Sequence, residues 1–487
     1  MAKSVIIIGS GIAGLACSIR LAKKGYIVSV FEANQYPGGK LTEIQLGGYR
    51  FDAGPSLFTL PEEIEALYKL CGLKASDYFE YQKLDTTCKY FYPDGTVIEG
   101  FADQKAFQRE VHEKTGEPTK NIKKALSKSK FLYEELSPLF MHKSLHRLST
   151  WLSAEAFKRY GKLTQFNFNR SMHQANASRF ESEKVVQLFN RYATYNGSDP
   201  YQAPATLNII PHLEFGIGAF FPKKGMYDIT KSLFELAKKV GVKFYFNTKV
   251  EKITVHEGAA KGITTKFGFH KADRVVSNMD VVGTYEKLLK TESKPTKIIN
   301  QPKSSSALIF YWGIKKEFKQ LDLHNIFFSE DYKNEFEHIF SKGTISSDPT
   351  IYINITSTHK KDDAPEGCQN WFTMINVPNN QGQDWDLLIE EARANILKKL
   401  SLQLGEDIEP LIELEDILDP RSIELRTSSS QGALYGNSSN NKYAAFLRHA
   451  NFSKKIEHLY FCGGSVHPGG GIPLCLLSAK IVAENFD

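Results

Sequence analysis

The 487-residue sequence predicts an α/β fold in which a parallel-sheet nucleotide-binding domain is assembled from separated parts of the chain. Three observations predict it. A β-branched run, a glycine turn, a helix and a second strand ending in an acid follow one another at the N-terminus. A second glycine-rich turn, again between a strand and a helix, closes the sequence. Between them lie a long helical stretch and a series of alternating, strand-like segments.

Residues 3–9 (KSVIIIG) form a buried parallel strand, because β-branched side chains fill both of its faces. Residues 12–24 have helical spacing, and Gly25 is a natural C-terminal cap. Residues 26–31 give the second strand, closing on Glu32. Turns at 37–40 and 52–55 separate short strands. Residues 61–72 and 103–190 are mainly helical, whereas 243–248, 249–255, 262–267 and 273–277 alternate as sheet strands do. Further strands are expected in 305–315 and 350–377, with a helix over 384–404. Residues 458–462 are a strand, and 473–485 a helix. The expected division is a nucleotide-binding domain in three parts (1–75, 222–285, 441–487), a mixed-sheet substrate domain in two (76–110, 286–440) and a helical region, 111–221.

Gly9-Ser-Gly11-Ile-Ala-Gly14 fits a pyrophosphate site. The first glycine permits the tight turn, the second admits the phosphates to the backbone, and the third lets helix pack on strand. The helix start, with Ile12 and Ala13, supplies unpaired N–H groups and partial positive charge. Glu32, followed by Ala33, is placed to accept hydrogen bonds from ribose hydroxyls and disfavours a 2′-phosphate. No second Gly-x-Gly-x-x-Gly follows a strand, which argues against separate FAD and NAD(P)H sites. Pro37-Gly38-Gly39-Lys40, with Leu41, suits a loop wrapping the adenosine and pyrophosphate of an extended dinucleotide, so FAD is the predicted cofactor. Gly463, Gly464 and Gly471, with Ile472 and Pro473, lead into the last helix. That helix start, aimed at the N1–C2=O edge of a flavin, would stabilise the reduced ring.

Composition narrows the rest. The length suits ~2–3 domains, and there is no internal repeat or low-complexity tract. Six scattered cysteines without a Cys-x-x-Cys pair point to reduced thiols. Cys462, His467 and Cys475 read as incidental to the glycine turn, so no metal is expected. Residues 4–19 resemble a signal-peptide core but carry the glycine pattern instead. Residues 459–479 are long enough to span a bilayer, but five glycines and two prolines would interrupt such a helix.

Seven segments then occur in order: the first glycine turn, 37–40, 48–56 (GYRFDAGPS), 191–200 (RYATYNGSDP), 222–226 (PKKGM), 276–280 (VSNMD) and 467–473 (HPGGGIP). Together they resemble the bacterial phytoene-desaturase-type carotenoid desaturases, and 52–61 looks most like the hydroxycarotenoid 3,4-desaturases. The resemblance spans the whole chain and implies the discontinuous Rossmann-like FAD domain of the amine-oxidase and phytoene-desaturase type. It adds Gly54, Pro55, Ser56, Val250 and Asn278 to the cofactor contacts. It also implies loss of an allylic hydride to flavin N5, with oxygen or a quinone as terminal acceptor. The delocalised cation left behind makes the neighbouring proton acidic, so no strong base is demanded. Asp52 and His467 are the nominees for a proton acceptor. Lys40 stands where relatives often have arginine, and Gly225 where a glycine pair is usual. The alternatives are a phytoene desaturase proper, a carotenoid isomerase, a retinoid saturase or amine oxidase, or, in a different class, a flavin-free prenyl-lipid carrier on the same scaffold.

A carotenoid substrate has to come from a bilayer. Residues 120–170 carry eleven Lys and Arg against three acids, interleaved with aromatics and leucines. That composition suits anionic headgroups with shallow apolar insertion. It predicts a cytoplasmic protein peripheral on the inner membrane face; no nucleic-acid motif accompanies the charge.

Overall fold

The computed structural model describes residues 3–441 and 448–486. Strand Ser4–Ile8 lies at the centre of a five-stranded parallel sheet. Its neighbours run Leu459–Phe461, Arg274–Ser277, Ser4–Ile8, Ile27–Phe31, Lys243–Tyr245. Val5 and Ile7 face helices Ile12–Lys23 and Ile472–Glu484, while Ile6 and Ile8 face a second core with Ile253, Ile263 and Phe461. Apolar burial on both faces is why this strand has no polar alternation. One sheet thus draws on the N-terminal, middle and C-terminal parts of the chain.

A second, seven-stranded mixed sheet is ordered Ile412–Leu418, Ser306–Ile314, Gln369–Val377, Ile351–Asn354, His324–Phe327, Thr86–Phe91, Val97–Phe101. Its two faces are chemically distinct because side chains alternate. Leu308, Phe310, Trp312, Trp371 and Ile375 pack beneath helix Trp385–Leu404 through Trp385, Ile396 and Leu400. Ile309, Tyr352, Phe372, Met374, His324 and Ile326, on the opposite face, line a central cavity.

Several expected elements differ in detail. The helical stretch 103–190 is broken after Gln104–Thr115, where Gly116 adopts φ 73° and Pro118 precedes helix Thr119–Phe140. Shorter helices follow, among them Leu148–Trp151, Ala154–Tyr160 and Glu183–Asn190. The strand expected over 262–267 is Ala259–Thr265, paired in a hairpin with Val250–His256. Residues 350–377 contain two strands separated by short helical turns, and strands Thr86–Phe91, Val97–Phe101, His324–Phe327 and Ile412–Leu418 were not foreseen.

Arg50, on strand Tyr49–Asp52, ties these parts together. Its guanidinium donates to Glu43 (2.7 Å), Asp52 (2.7 Å) and Asp363 (3.1 Å). Asp52 in turn accepts from the backbone N–H of Met226 (2.8 Å) and Tyr227 (3.0 Å), at the start of helix Tyr227–Lys239. Removing Asp52 leaves Arg50 with Glu43 and Asp363 but strips the acceptor from two backbone N–H groups, each at a cost of about 1–3 kcal/mol. Asp52→Ala is therefore expected to lower the calorimetric melting temperature markedly. An unchanged melting curve would show that Arg50 does not hold the three segments in register.

Candidate functional site

The two sheets and helix Thr119–Phe140, with the turn that follows it, line a continuous cavity of about 1260 Å³. Pockets for a single small ligand measure roughly 300–1,000 Å³, and this cavity is larger. At one end lie the carboxyl ends of the parallel strands, where ligands bind in open α/β sheets. Gly9, Gly11, Ile12, Ala13, Glu32 and Ala33 line that end, with Gly38, Gly39, Lys40, Leu41 and Val250 beside them. Gly54, Pro55, Ser56 and Asn278 continue the wall to Gly463, Gly464, Gly471, Ile472 and Pro473.

Gly14 alone of the predicted cofactor residues is not on the wall, and its role is packing. A Cβ there would sit 2.2 Å from the carbonyl oxygen of Gly9. Gly38, at φ 116°, similarly leaves no room for a side chain, its Cβ position being 2.3 Å from the Leu41 carbonyl.

Two helix N-termini open on the cavity. Neither N-cap residue, Gly11 of Ile12–Lys23 or Gly471 of Ile472–Glu484, has a side chain to cap its helix; Asn278 Oδ1 takes the Gly14 N–H, and the N–H groups ahead of it, with the positive dipole end, face the interior. Glu32 accepts from the Ser10 N–H and Oγ (both 2.8 Å) and the Asn34 N–H (2.9 Å). These three bonds fix the carboxylate and leave acceptor capacity for a further donor.

At the far end of the glycine wall, Lys40 donates to the carbonyls of Ala433 (3.1 Å) and Leu434 (2.8 Å), and burial lowers its pKa to about 8. Arg448 had no signal in the sequence, being an isolated arginine outside every motif. It braces the second glycine turn, donating to the carbonyls of Gly464 (3.1 Å) and Tyr435 (2.6 Å) and to Asn196 (3.2 Å). Burial lowers its pKa to about 10.

The two nominated proton acceptors fare differently. Asp52 is a correction: it does not line the cavity, and its carboxylate is consumed by Arg50 and two backbone N–H groups. His467 does line the cavity. Its Nε2–H donates to the Lys143 carbonyl at 2.8 Å, and burial lowers its pKa to about 4, so it is neutral at ordinary pH. Its visible task is to hold the 119–145 region against the glycine turn.

Comparison with known proteins fits this geometry. The family model of the flavin containing amine oxidoreductases matches residues 12–485. The chain belongs to the flavin-containing amine oxidoreductase family. It is 54% identical over 482 residues, 99% of this chain and 98% of the relative, to a 1-hydroxycarotenoid 3,4-desaturase of Flavobacterium sp. (strain P99-3). It is 32% identical to a 4,4′-diapolycopene oxygenase of Methylomonas sp., over 99% of this chain and 97% of that one. Putrescine oxidase bound to putrescine shares the fold, with a TM-score of 0.62 at 14% identity, covering 100% and 99% of the two chains. So does a fatty acid isomerase from P. acnes, at 0.62 and 14%, covering 99% and 98%. The protein is an FAD-dependent oxidoreductase.

The cavity wall suits that cofactor. Uncapped N–H groups at the first helix start match its pyrophosphate, and Glu32 matches a ribose diol. The second helix start supplies positive potential where a flavin ring takes up electrons. Hydrogen bonds to a charged group contribute about 1.5–3 kcal/mol. Glu32→Gln is thus expected to weaken FAD binding by roughly ten- to a hundredfold, read by fluorescence titration of the stripped protein. Undiminished affinity would place the ribose elsewhere.

Proposed function

We propose that this protein is a carotenoid desaturase that oxidises the 3,4 bond of a 1-hydroxylated carotenoid drawn from a lipid bilayer. The observation that carries the reading is the second half of the cavity. Beyond the glycine wall it is lined by Leu136, Phe140, Met141, Leu145, Ile309 and Met374, and it is continuous with the cofactor end. A long polyene fits such an apolar channel; a charged amine does not. The 54% identity to a 1-hydroxycarotenoid 3,4-desaturase supports the same substrate class.

Bound FAD supplies the hydride acceptor, and oxygen or a quinone takes the electrons onward. The chain supplies alignment and dryness. Apolar walls exclude water and hold the allylic C–H toward the cofactor end. The adjacent proton is acidic once positive charge spreads along the polyene, so the neutral state of His467 is no obstacle. Anaerobic mixing with a 1-hydroxycarotenoid should bleach the flavin band and yield a product two hydrogens lighter. Equally fast bleaching by NADPH alone would overturn this direction of electron flow.

The surface around 143–163 supports delivery from a membrane. Leu148 (73% exposed), Leu152 (62%) and Phe157 (60%) project from two short helices, with Tyr160 and Leu163 close by in sequence. Phe140, Met141 and Leu145, just upstream, belong to the cavity wall. Lys143, Arg147 and Lys158 are exposed in the same segment, as are Lys120, Lys123 and Lys124 on helix Thr119–Phe140. Other cations of the segment are engaged within the protein: Lys128 with the Gln165 carbonyl, Lys162 with Glu135, and Arg159 with the Glu135 and Glu155 carbonyls. Among the described residues no helix is long and apolar enough to cross a membrane.

Each exposed cation contributes about 1 kcal/mol near an anionic surface, screened within ~10 Å, while apolar side chains add a salt-insensitive part. Leu148, Leu152 and Phe157 changed together to serine should reduce co-sedimentation with anionic liposomes at low and high salt alike. Lys123→Gln with Lys124→Gln should reduce it chiefly at low salt. Wild-type pelleting by both variants would exclude this surface as the docking site.

A further inference from the structure

The floor of the cavity, one face of the seven-stranded sheet, is largely apolar and carries a small hydrogen-bonded group. Ser56 Oγ lies 2.7 Å from the Tyr352 hydroxyl, which lies 2.7 Å from Nδ1 of His324. Asn354 Nδ2 approaches the same Nδ1 at 3.3 Å and can only donate. Nδ1 is therefore the acceptor of the ring. Burial and the nearby His359 and Arg191 lower the pKa of His324 to about 3, so the ring is neutral and its single proton sits on Nε2. That Nε2–H is buried and has no hydrogen-bond partner, although His324 is only 4% exposed and lines the cavity.

A buried donor without a partner carries a desolvation penalty that a ligand acceptor removes. Ala307, Ile309, Ile326, Phe372 and Met374 make most of the floor apolar, with Thr87 and Asn376 also lining it; among the floor's side chains His324 combines burial with an unpaired donor. Ser56 also fixes where the group stands relative to the cofactor wall. Gly54, two residues earlier, packs so closely on Lys40 that a Cβ would lie 1.8 Å from the Lys40 carbonyl oxygen. The unpaired donor is thus tied through Ser56 and Tyr352 to the loop that borders the cofactor end. In a 1-hydroxylated chain the alcohol oxygen is only three bonds from carbon 3, so whatever holds the alcohol must stand close to the site of oxidation.

We propose that His324, oriented by Tyr352, is the anchor for the substrate's hydroxyl group, its Nε2–H donating to the alcohol oxygen and setting which bond meets the cofactor. This rests on the proposed carotenoid reading and deepens it. A site built around a hydrogen bond to an alcohol rejects the analogue without it, because the protein donor is then left unpaired.

The test compares kcat/KM for a 1-hydroxycarotenoid and for the matching carotene without the hydroxyl, both in liposomes, with the FAD-loaded enzyme. His324→Leu should lower the value for the alcohol about tenfold to a hundredfold and change that for the carotene less than about threefold. Tyr352→Phe, which keeps the ring but frees the imidazole, should lower the alcohol-to-carotene ratio in the same direction. His324→Gln, which can restore an N–H donor, should recover part of the ratio. Equal losses on both substrates, or none, would overturn the anchor while leaving carotenoid oxidation standing. A folded, FAD-loaded wild type that oxidises neither compound would overturn the carotenoid reading and the anchor with it.

Discussion

The parallel pairing of Ser4–Ile8 with Arg274–Ser277 is the constraint on which the rest of the site depends. The pairing brings together strands far apart in the chain, and their carboxyl ends present the glycine turns together. Asn278 makes this pairing a joint. Its N–H donates to the Ile8 carbonyl (2.8 Å), its Oδ1 accepts from the Gly14 N–H (3.0 Å), and its Nδ2 donates to the Cys462 carbonyl (3.1 Å). One side chain thereby links the first strand, the first helix and the second glycine turn. A Cβ on Gly11 would lie 2.8 Å from that same Oδ1, so the middle glycine is required by the protein's own packing as well as by any phosphate.

The other half of the site follows from strand alternation. A sheet covered on one face by a helix and on the other by a cavity needs apolar residues on both, and here it has them. What differs between the faces is the partner: Trp385, Ile396 and Leu400 fill one side, while the other is left for a ligand. Because the floor is largely apolar, a polar group on it is costly unless the protein or a ligand hydrogen-bonds it. Most of the Arg191 guanidinium is engaged in this way. It is buried beside Glu214 at 3.5 Å, donates to the hydroxyls of Tyr90 (3.0 Å) and Tyr195 (2.8 Å), and lies 4.5 Å from the ring centroid of Tyr192. Such a network holds one end of the cavity in a single shape without offering a loose charge to a hydrocarbon.

What was legible in the sequence was local chemistry. Gly9, Gly11, Gly14 and Glu32 stand within one βαβ unit, and the last turn has its glycines and Pro473 in one short span, so spacing alone revealed them. What was not legible depends on distant partners. Strand His324–Phe327 is four residues long, and its identity comes from pairing with Ile351–Asn354 and Thr86–Phe91. Arg448 has meaning only once the carbonyls of Tyr435 and Gly464 surround it. Asp52 was drawn toward the cofactor by its motif, but the motif exists to cap the Tyr227–Lys239 helix and to neutralise Arg50. The charge count over 120–170 was right as arithmetic and incomplete as electrostatics, since it could not see Lys128, Arg159 and Lys162 turned inward.

The uncapped helix starts bear on stability as well as on binding. A helix N-terminus normally recruits Ser, Thr, Asp or Asn to satisfy its orphan N–H groups, and losing such a cap costs about 0.5–2 kcal/mol. Several helices of this chain do so: Asp103, Ser153, Ser171, Asp384 and Asp419 cap theirs with a side-chain oxygen. At Gly11 and Gly471, the two starts that face the cavity, it does not. Helices Glu62–Leu70, Thr119–Phe140 and Glu183–Asn190 also start without such a cap, but only at Gly11 and Gly471 do the glycines face the place where FAD would supply the acceptor. A ligand bound only by the folded state stabilises it by mass action, by about 4 kcal/mol at a thousand times its dissociation constant. Folding and cofactor loading are coupled on this view, because the glycines that open the backbone to FAD also leave those helix starts unfinished without it.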